Sequence, residues 1–458
     1  MPKRQFDGHI HKKSLSVIAR RRAILAVLLG ALLLACQPTP ETEFIVNRGD
    51  NLAEKRIEET PAPTGSGTDQ PLPTFAVPER WTDVIETKVT TIPIDAEIVT
   101  SGQTVFPVRT VERTAIQEDM MLSLWRAFFP DAVAWHSGLS FYTRKDYENA
   151  LKSAMDHGLE NEVLLNLQAE YNACRLTEDD FQPMETFRLH PEDYIVTALL
   201  ADGSKGSMEW DLTGREVVLC RHTHALLHDS DTLSTMGSYI GDPVRSITPS
   251  LPQDKAVTAG EQFLTDQHME GWTLASAQPG RLFQSLGFEE WSTGWILKYV
   301  HAFEYVPLNV SDVDRGSFSS EEVSYAPAWT MEELELYVSE NGVERLRWSD
   351  PMTVTGVANE NVTLLPFAEM QRIMKNYFTA AIAGEKRKWG YQLELTKVVL
   401  TLSVQPKKNA AKEAYLVPTW VCLMDAYDLH HEKQTDKPFA YGFNAIDGTR
   451  VHMGGSFR

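Results

Sequence analysis

The chain has 458 residues, with 43 lysine and arginine residues against 63 aspartate and glutamate residues, and its formal net charge is −20. Hydrophobic residues make up 43% of the sequence and charged residues 23%, which excludes a mostly disordered chain, a collagen and a multi-span membrane protein. The acidic balance argues against nucleic acid as a partner, because phosphate contacts need clustered lysine and arginine.

Residues 1–35 have the organisation of a secretory signal peptide. Basic residues precede the apolar run AILAVLLGALLLA at 23–35. As a helix this run would be roughly 20 Å long, which is short of the roughly 30 Å hydrocarbon core of a bilayer. The sequence therefore favours a cleaved signal over a spanning helix.

The signal ends in Leu33-Leu34-Ala35-Cys36, which resembles the lipobox of bacterial lipoproteins. The resemblance implies that Cys36 is lipidated and becomes the new N-terminus after cleavage. The alternative is an ordinary signal peptide that is cleaved after Ala35, with an incidental cysteine. A diacyl anchor on Cys36 would hold the protein on the lipid bilayer of the cell membrane, at its extracytoplasmic face.

The segment 36–80 is predicted to be the lipidated cysteine followed by a disordered linker. It is rich in proline and contains the tract Thr64-Gly65-Ser66-Gly67-Thr68, a composition typical of tethers. Removal of residues 1–35 takes away seven basic residues and one acidic residue, which leaves 36 basic against 62 acidic residues. The linker would lift this acidic body off an anionic surface.

Residues 81–253 are predicted to form an N-terminal α+β domain. Alternation of apolar and polar residues predicts strands, and longer periodic segments that end at proline or glycine predict helices. The strands are expected at 84–99, 104–116, 186–203 and 207–228, and the helices at 117–129, 143–157 and 160–175. The polar, proline-rich segment 229–253 predicts the boundary of this domain.

Residues 254–458 are predicted to form a C-terminal α+β domain of two helix-plus-antiparallel-sheet units, at about 254–350 and 364–453. Asn341-Gly342 predicts a hairpin turn within 331–350, with positive φ at both residues. The expected helices are 254–268 and 367–383, and the expected strands are 272–277, 293–306, 391–405, 414–427 and 439–453. The predicted fold class is therefore α+β with repeated units.

The C-terminal half carries short motifs with a family resemblance. Pro418-Thr419-Trp420 and Asn444-Ala445-Ile446-Asp447-Gly448 resemble PepSY-like domains and extracytoplasmic regulators of the YycH/YycI type. The whole chain is similar to uncharacterised lipoproteins of Gram-positive, clostridial, gut-type bacteria. This resemblance implies no catalytic residues. The residue types favour a structural role for Pro418, Trp420, Asn444, Asp447 and Gly448, with ligand binding as the alternative. Because proline cannot donate to a strand ladder, Pro418 is expected at a strand edge or a strand start.

Two groups of residues have side chains that could bind a metal ion. In a strand, His222 and His224 would point to the same face, and His228 follows four residues later. The second group lies between two predicted strands and comprises Asp425, Asp428, His430 and His431. Because neither spacing matches a known metal motif, polar strand-end and loop residues are the competing interpretation for both groups.

No catalytic motif and no cofactor motif is recognisable, so we predict that the protein is not an enzyme. The expected function is that of a surface-anchored binding or regulatory protein, whose partner is a membrane sensor protein or an extracellular peptide or glycan. A metal-binding protein or metal-dependent extracellular hydrolase is the alternative, and a protease inhibitor is a third possibility. The sequence leaves the pairing of Cys174, Cys220 and Cys422 open.

Overall fold

A computed structural model describes most of the chain after residue 51. It covers residues 52–59, 77–87, 90–100, 102, 104–138, 142–156, 161–189, 194–211, 214–222, 225–229, 247–284, 290–301, 303, 331–384, 391–407, 410, 412–428 and 438–451. The predicted signal peptide and lipidation of Cys36 lie outside these residues. None of the helices within these ranges is long and apolar enough to cross a membrane.

The fold is strand-rich and mixes helices with two large sheets. The helices are α1 (Leu52–Glu58), α2 (Glu118–Phe128), α3 (Arg144–Asp156), α4 (Asn161–Ala173), α5 (Gln253–Asp266) and α6 (Phe367–Gly384). The strands are β1 (Arg80–Glu86), β2 (Thr91–Val99), β3 (Val108–Arg113), β4 (Ala132–Ser137), β5 (Gln182–Pro183), β6 (Ile195–Leu200), β7 (Lys205–Trp210), β8 (Glu216–Cys220), β9 (Ala225–Asp229), β10 (Trp272–Gln284), β11 (Glu290–His301), β12 (Glu333–Ser339), β13 (Gly342–Ser349), β14 (Met352–Asn359), β15 (Tyr391–Pro406), β16 (Glu413–Asp428), β17 (Phe439–Asn444) and β18 (Arg450–Val451). The five helices predicted from periodicity are confirmed to within about two residues at each end.

Strands from both halves of the chain share each sheet. The first sheet runs β1-β2-β15-β16-β17-β18, and β3 joins it by pairing with both β16 and β14. The second sheet runs β5-β4-β6-β7-β8-β13-β12-β11-β10-β9. Pairing is antiparallel in both sheets except between β2 and β15. The sheets therefore do not follow the predicted division at residue 253, because β8 pairs with β13 and β9 pairs with β10.

Helices cover one face of each sheet and bury its apolar side chains. On the second sheet, α5 lies so close that a Cβ atom on Gly260 would be 2.6 Å from the Tyr299 hydroxyl. Phe128 of α2 contacts Phe263 of α5 edge-on, with ring centroids 5.6 Å apart, so these two helices share one core. On the first sheet, Phe378 of α6 packs edge-on against Phe443 of β17.

The linker prediction is wrong for residues 52–59, because α1 is packed against the body. Ala53 and Ile57 are each only 1% exposed, and Arg56 donates a hydrogen bond to the Ile446 carbonyl. Asn359, the last residue of β14, donates to the carbonyls of Ile57 at 3.0 Å and Glu59 at 3.1 Å, which satisfies the C-terminal end of the helix. A seven-residue helix is not stable alone in water, so these contacts form it.

The hairpin between β12 and β13 is confirmed, but its turn differs from the predicted one. Ser339 pairs with Gly342, so Glu340 and Asn341 are the two central residues of the turn. Gly342 has φ of +93°, whereas Asn341 is not in the left-handed region. A register shift between Tyr337 and Val338 accommodates the glycine, and the turn thus has one residue with positive φ instead of two.

Candidate functional site

Glu344 is the centre of a buried polar network in the second sheet. Its side chain is 2% exposed and lies on β13, just after the hairpin turn. His222, which follows β8, is 3.1 Å from one carboxylate oxygen, and Ser292 of β11 donates to the other at 2.8 Å. Asn341 of the turn donates from 3.3 Å. The carboxylate therefore links β8, β11 and the β12–β13 turn.

The hydrogen bonds around Glu344 keep it ionised. Burial alone raises the pKa of a carboxylic acid, but hydrogen bonds from His222, Ser339 and Ser292 outweigh burial and lower the pKa of Glu344 to about 2. Ser292 and His222 bind different oxygens of the carboxylate. In a nucleophilic triad the histidine would instead accept the proton of the serine. This geometry is that of a structural crosslink.

Glu332 forms a second buried network, where the two sheets meet. Its side chain is 2% exposed, and one oxygen is 2.9 Å from Nε2 of His301, at the end of β11. Trp348 of β13 donates its indole N–H to the other oxygen at 2.7 Å. The backbone N–H of Met352, which begins β14, lies 3.3 Å away. Glu332 thus holds together the ends of β11 and β13 and the start of β14.

His301 is held from three sides. Trp272 stacks on its ring with centroids 4.3 Å apart, and Nδ1 lies 3.2 Å from the Gly271 carbonyl oxygen. Burial by itself would lower the pKa of His301, but the hydrogen bond and charge of Glu332, with the Gly271 carbonyl, raise it above its ordinary value. Because both ring nitrogens face oxygen atoms, the protonated imidazole suits this site as a cationic link between strands.

The structure describes one side chain of each predicted metal-binding group, so it does not test either group. His222 is bound to Glu344 in the second sheet, whereas Asp425 lies on β16 of the first sheet, opposite Glu394 of β15. His224, His430 and His431 lie outside the described residues, and the side chains of His228 and Asp428 do too. Among the described residues, no group of three or more histidine, cysteine, aspartate and glutamate side chains is arranged to hold a metal ion.

The described cysteines Cys174, Cys220 and Cys422 are free thiols. Cys220 and Cys422 are buried on β8 and β16, and burial raises the pKa of Cys220 to about 12 and also raises the pKa of Cys422. Both are consequently protonated and poorly nucleophilic at neutral pH.

The motif Asn444–Gly448 forms a buried turn after β17. The Asn444 side chain accepts the backbone N–H of Ile446, and the Asp447 side chain accepts the backbone N–H and hydroxyl of Thr449. Gly448 has φ of +78°, and a Cβ atom there would lie 2.5 Å from Cδ1 of Ile373 on α6. The other contacts of this turn are also within the protein: Asn444 donates to Gln405 of β15, and the Ala445 N–H donates to the Pro418 carbonyl of β16, which is the geometry of a structural motif.

Pro418 lies inside β16, and not at an edge or strand start as its chemistry suggested. On one side β16 pairs with β15 along its whole length. On the other side it pairs with β3 at 413–416 and with β17 at 419–424, so Pro418 falls in the gap between these neighbours. A residue without a backbone N–H is tolerated there, and its carbonyl accepts the Ala445 N–H at 2.8 Å.

We expect the double substitution Asp447→Ala with Gly448→Ala to lower the free energy of unfolding by about 2–3 kcal/mol. It removes two hydrogen bonds, forces a left-handed alanine and pushes a methyl group into Ile373. Denaturant unfolding measures the change. Gly342→Ala is the matched control, because Gly342 also has positive φ but nothing lies within 4 Å of its Cβ position. A smaller loss in the double variant than in this control would contradict the packing argument.

Two strands at the borders of the first sheet differ in charge. β1 carries Arg80, Asp83 and Glu86 on its seven residues. β14, with the sequence MTVTGVAN, carries no charge, and its five residues from Thr353 to Val357 are all exposed. Edge strands in soluble proteins are usually protected by charged side chains. In this respect β1 is protected and β14 is not.

A cleft of about 480 Å³ opens beside α1 and the segment that precedes α6. Its polar lining includes Arg56, Asn359 and Asn361. These side chains already bind the Ile446 carbonyl, the end of α1 and the Phe106 N–H, respectively. These three side chains of the cleft are therefore engaged within the protein.

Sequence reasoning missed Glu332 and Glu344 as network centres, although a signal was present for Glu332. In the β12–β13 hairpin the buried Leu334, Leu336 and Leu346 occupy alternate positions. Glu332 falls in phase with Leu334 and Leu336, and Trp348 falls in phase with Leu346, whereas Glu344 lies at the register shift of the hairpin, where the alternation gives no signal. A carboxylate at an inward position of an alternating strand predicts a buried, hydrogen-bonded charge. Their partners His301 and Ser292 come from another strand and have no such local signal.

No family model matches the chain, and no curated protein matches it. Among solved structures, the chain has a distant neighbour in an uncharacterised protein from Eubacterium rectale ATCC 33656. The TM-score is 0.46 and the sequence identity is 11%, over 89% of this chain and 99% of the other. The resemblance to PepSY-like domains and YycH/YycI-type regulators stays a prediction.

Proposed function

We propose that this chain is a surface-anchored bacterial lipoprotein that acts outside the cytoplasmic membrane as a non-enzymatic binding or regulatory protein. The observation that carries the non-enzymatic part is the engagement of the two buried glutamates. Glu344 binds four neighbours and Glu332 binds three, and both hold strands together. Carboxylates that are buried and hydrogen-bonded in this way are poorly placed to exchange protons with a substrate.

The basic residues, the apolar run and Leu33–Cys36 support the lipid anchor. The chain between Cys36 and α1 is 15 residues long and spans at most about 50 Å when fully extended. The tether we propose is accordingly residues 37–51, because α1 belongs to the body.

The order of elements supports the further proposal of two related units, since α5 precedes the meander β10–β13 and α6 precedes the meander β15–β18.

Cys36→Ser is expected to move the protein from the membrane fraction to the soluble fraction, because no diacyl chain can be attached to serine. Fractionation of cells that express the full chain, followed by immunoblotting, measures the distribution. Cys174→Ser is the matched control, since Cys174 is a half-buried thiol far along the chain and should leave the protein membrane-bound. Retention of Cys36→Ser in the membrane would mean that residues 23–35 remain as an uncleaved anchor.

The binding role and the metal-dependent alternative are separated by crosslinking in the native membrane with and without a chelator. A partner that is captured equally in both conditions supports binding without a metal. Loss of capture and a lower melting temperature in chelator, with the loss of capture reproduced by His222→Ala or His430→Ala, would favour the metal-binding alternative. The melting temperature of His222→Ala is not informative here, because His222 also binds Glu344. His301→Ala serves as the control, because it disturbs a buried histidine outside the predicted metal groups.

A further inference from the structure

β14 is an edge strand within the part of the chain that the structure describes. β14 pairs with β3 on one side, and no strand among the described residues pairs with its other side. Val354 is 43% exposed and Val357 is 47% exposed, which is unusual for large apolar side chains on an uncharged strand. Backbone N–H and C=O groups on such an edge are free to pair with another chain.

The geometry limits how long an added strand can be. Register shifts against β3 occur between Val354 and Gly356 and between Val357 and Asn359. Such bulges bend an edge and interrupt regular pairing. Because Asn359 is also committed to α1, the usable edge is at most the five-residue run from Thr353 to Val357, which contains the bulge at Thr355. An added segment would therefore be short and extended.

Carboxylates beside this edge define the charge of its partner. Glu112 of β3 lies opposite Thr353 on one side and opposite Glu413 of β16 on the other, so the three side chains share one face of the sheet. Glu413 is paired with Lys407 at 2.8 Å, whereas Glu112 is exposed and forms no ion pair with any described residue. A cation next to Thr353 would give the Glu112 carboxylate an ion-pair partner.

A residue on an added strand, opposite Thr353, would lie two strand spacings from Glu112, or about 10 Å between backbones. The side chains of lysine and arginine are long enough to cross Thr353 and reach the carboxylate, whereas a short side chain is not. The net charge of −20 also favours a positively charged partner.

We propose that β14 binds an extended segment of a partner protein by strand addition, and that this segment places a lysine or arginine opposite Thr353, facing Glu112. The proposal rests on the proposed binding function and names its surface and partner class. Main-chain hydrogen bonds to residues 353–357 provide the attachment, contact with Val354 and Val357 adds apolar burial, and Glu112 provides selectivity.

The test uses the full-length, detergent-solubilised chain and six-residue peptides of alternating threonine and valine. The peptides carry lysine, glutamate or proline at the third position. We expect the lysine peptide to slow amide exchange at residues 353–357 and to bind about threefold to fivefold more tightly than the glutamate peptide. The proline peptide is expected to give no protection, because it cannot complete the ladder.

Three variants make the result specific. Glu112→Gln should abolish the preference for lysine over glutamate while leaving strand addition intact. Val354→Lys combined with Val357→Lys should abolish binding, and melting curves check that this variant is folded. Val84→Lys is the control, because Val84 is 46% exposed on the charged strand β1 and should bind normally.

Equal affinity for the lysine and glutamate peptides, protection away from β14, or unchanged binding by the double lysine variant would each overturn the proposal. Concentration-dependent dimerisation that is lost in that variant would also overturn it, since a second copy would then occupy the edge. None of these outcomes depends on Cys36, so the release of Cys36→Ser from membranes tests the proposed anchor independently.

Discussion

Replacement of Trp420 by alanine is expected to lower the free energy of unfolding by about 3–5 kcal/mol. Trp420 lies on β16 and is fully buried. Its ring is 4.9 Å from that of Phe367, the first residue of α6, and Phe367 in turn contacts Trp81 of β1 edge-on at 6.3 Å. Loss of the indole would leave a cavity between the helix and the sheet that these rings cannot fill.

Denaturant unfolding followed by far-ultraviolet circular dichroism measures the effect of Trp420→Ala. Trp420→Phe should lose distinctly less stability, because a ring still contacts Phe367. Val84→Ala is the surface control and should change the free energy of unfolding by less than about 0.5 kcal/mol. If Trp420→Ala kept full stability but lost partner binding, the residue would belong to a ligand site, and the structural interpretation of the Pro418–Trp420 motif would fail.

The ionised Glu344 is expected to contribute about 3 kcal/mol of stability that is lost in acid. Its pKa is about 2 in the folded protein against an ordinary value of 4.5, so the unfolded chain binds the proton more tightly. The contribution is therefore fully present above about pH 4.5 and disappears as the pH falls from there toward 2. Unfolding free energies measured at a series of pH values between 3 and 7 test this directly.

Glu344→Gln supplies the comparison for the acid loss. The amide keeps the shape of the side chain but cannot ionise, so this variant should be less stable by about 2–3 kcal/mol at pH 7. The difference from the parent protein should shrink as the pH falls. Glu112→Gln is the matched control, because Glu112 is exposed and should show almost no difference at any pH. A constant difference between parent and Glu344→Gln across the pH series would show that the charge of Glu344 contributes nothing.

Local sequence patterns were sufficient for helices α2 to α6 and for the hairpin between β12 and β13. Helix α6 begins and ends within one residue of its prediction, because its apolar periodicity and closing Gly384 are both local signals. The pairing of strands was not predictable in this way. Each sheet combines strands that are more than a hundred residues apart, and the alternation in a strand does not name its neighbour.

Residues whose role depends on a distant partner were misassigned for the same reason. The segment around α1 has the composition of a linker, yet Ala53 and Ile57 are buried in the folded protein. The helix is held by distant residues, because Asn359 donates to the Ile57 carbonyl and Arg56 donates to the Ile446 carbonyl. Pro418 was expected at a strand edge, and the structure instead provides a gap between two neighbours of β16.

The sequence by itself determined the mixed character of the body, the positions of helices α2 to α6 and the signal-like composition of residues 1–35, because each of these depends on composition and periodicity within a short window. The tertiary structure decided which strands share a sheet, which residues bind Glu332 and Glu344, and that β14 lies at a sheet edge among the described residues. These features depend on contacts between residues far apart in the chain, and a contact of that kind leaves no mark in the local sequence beyond a charge at an inward position.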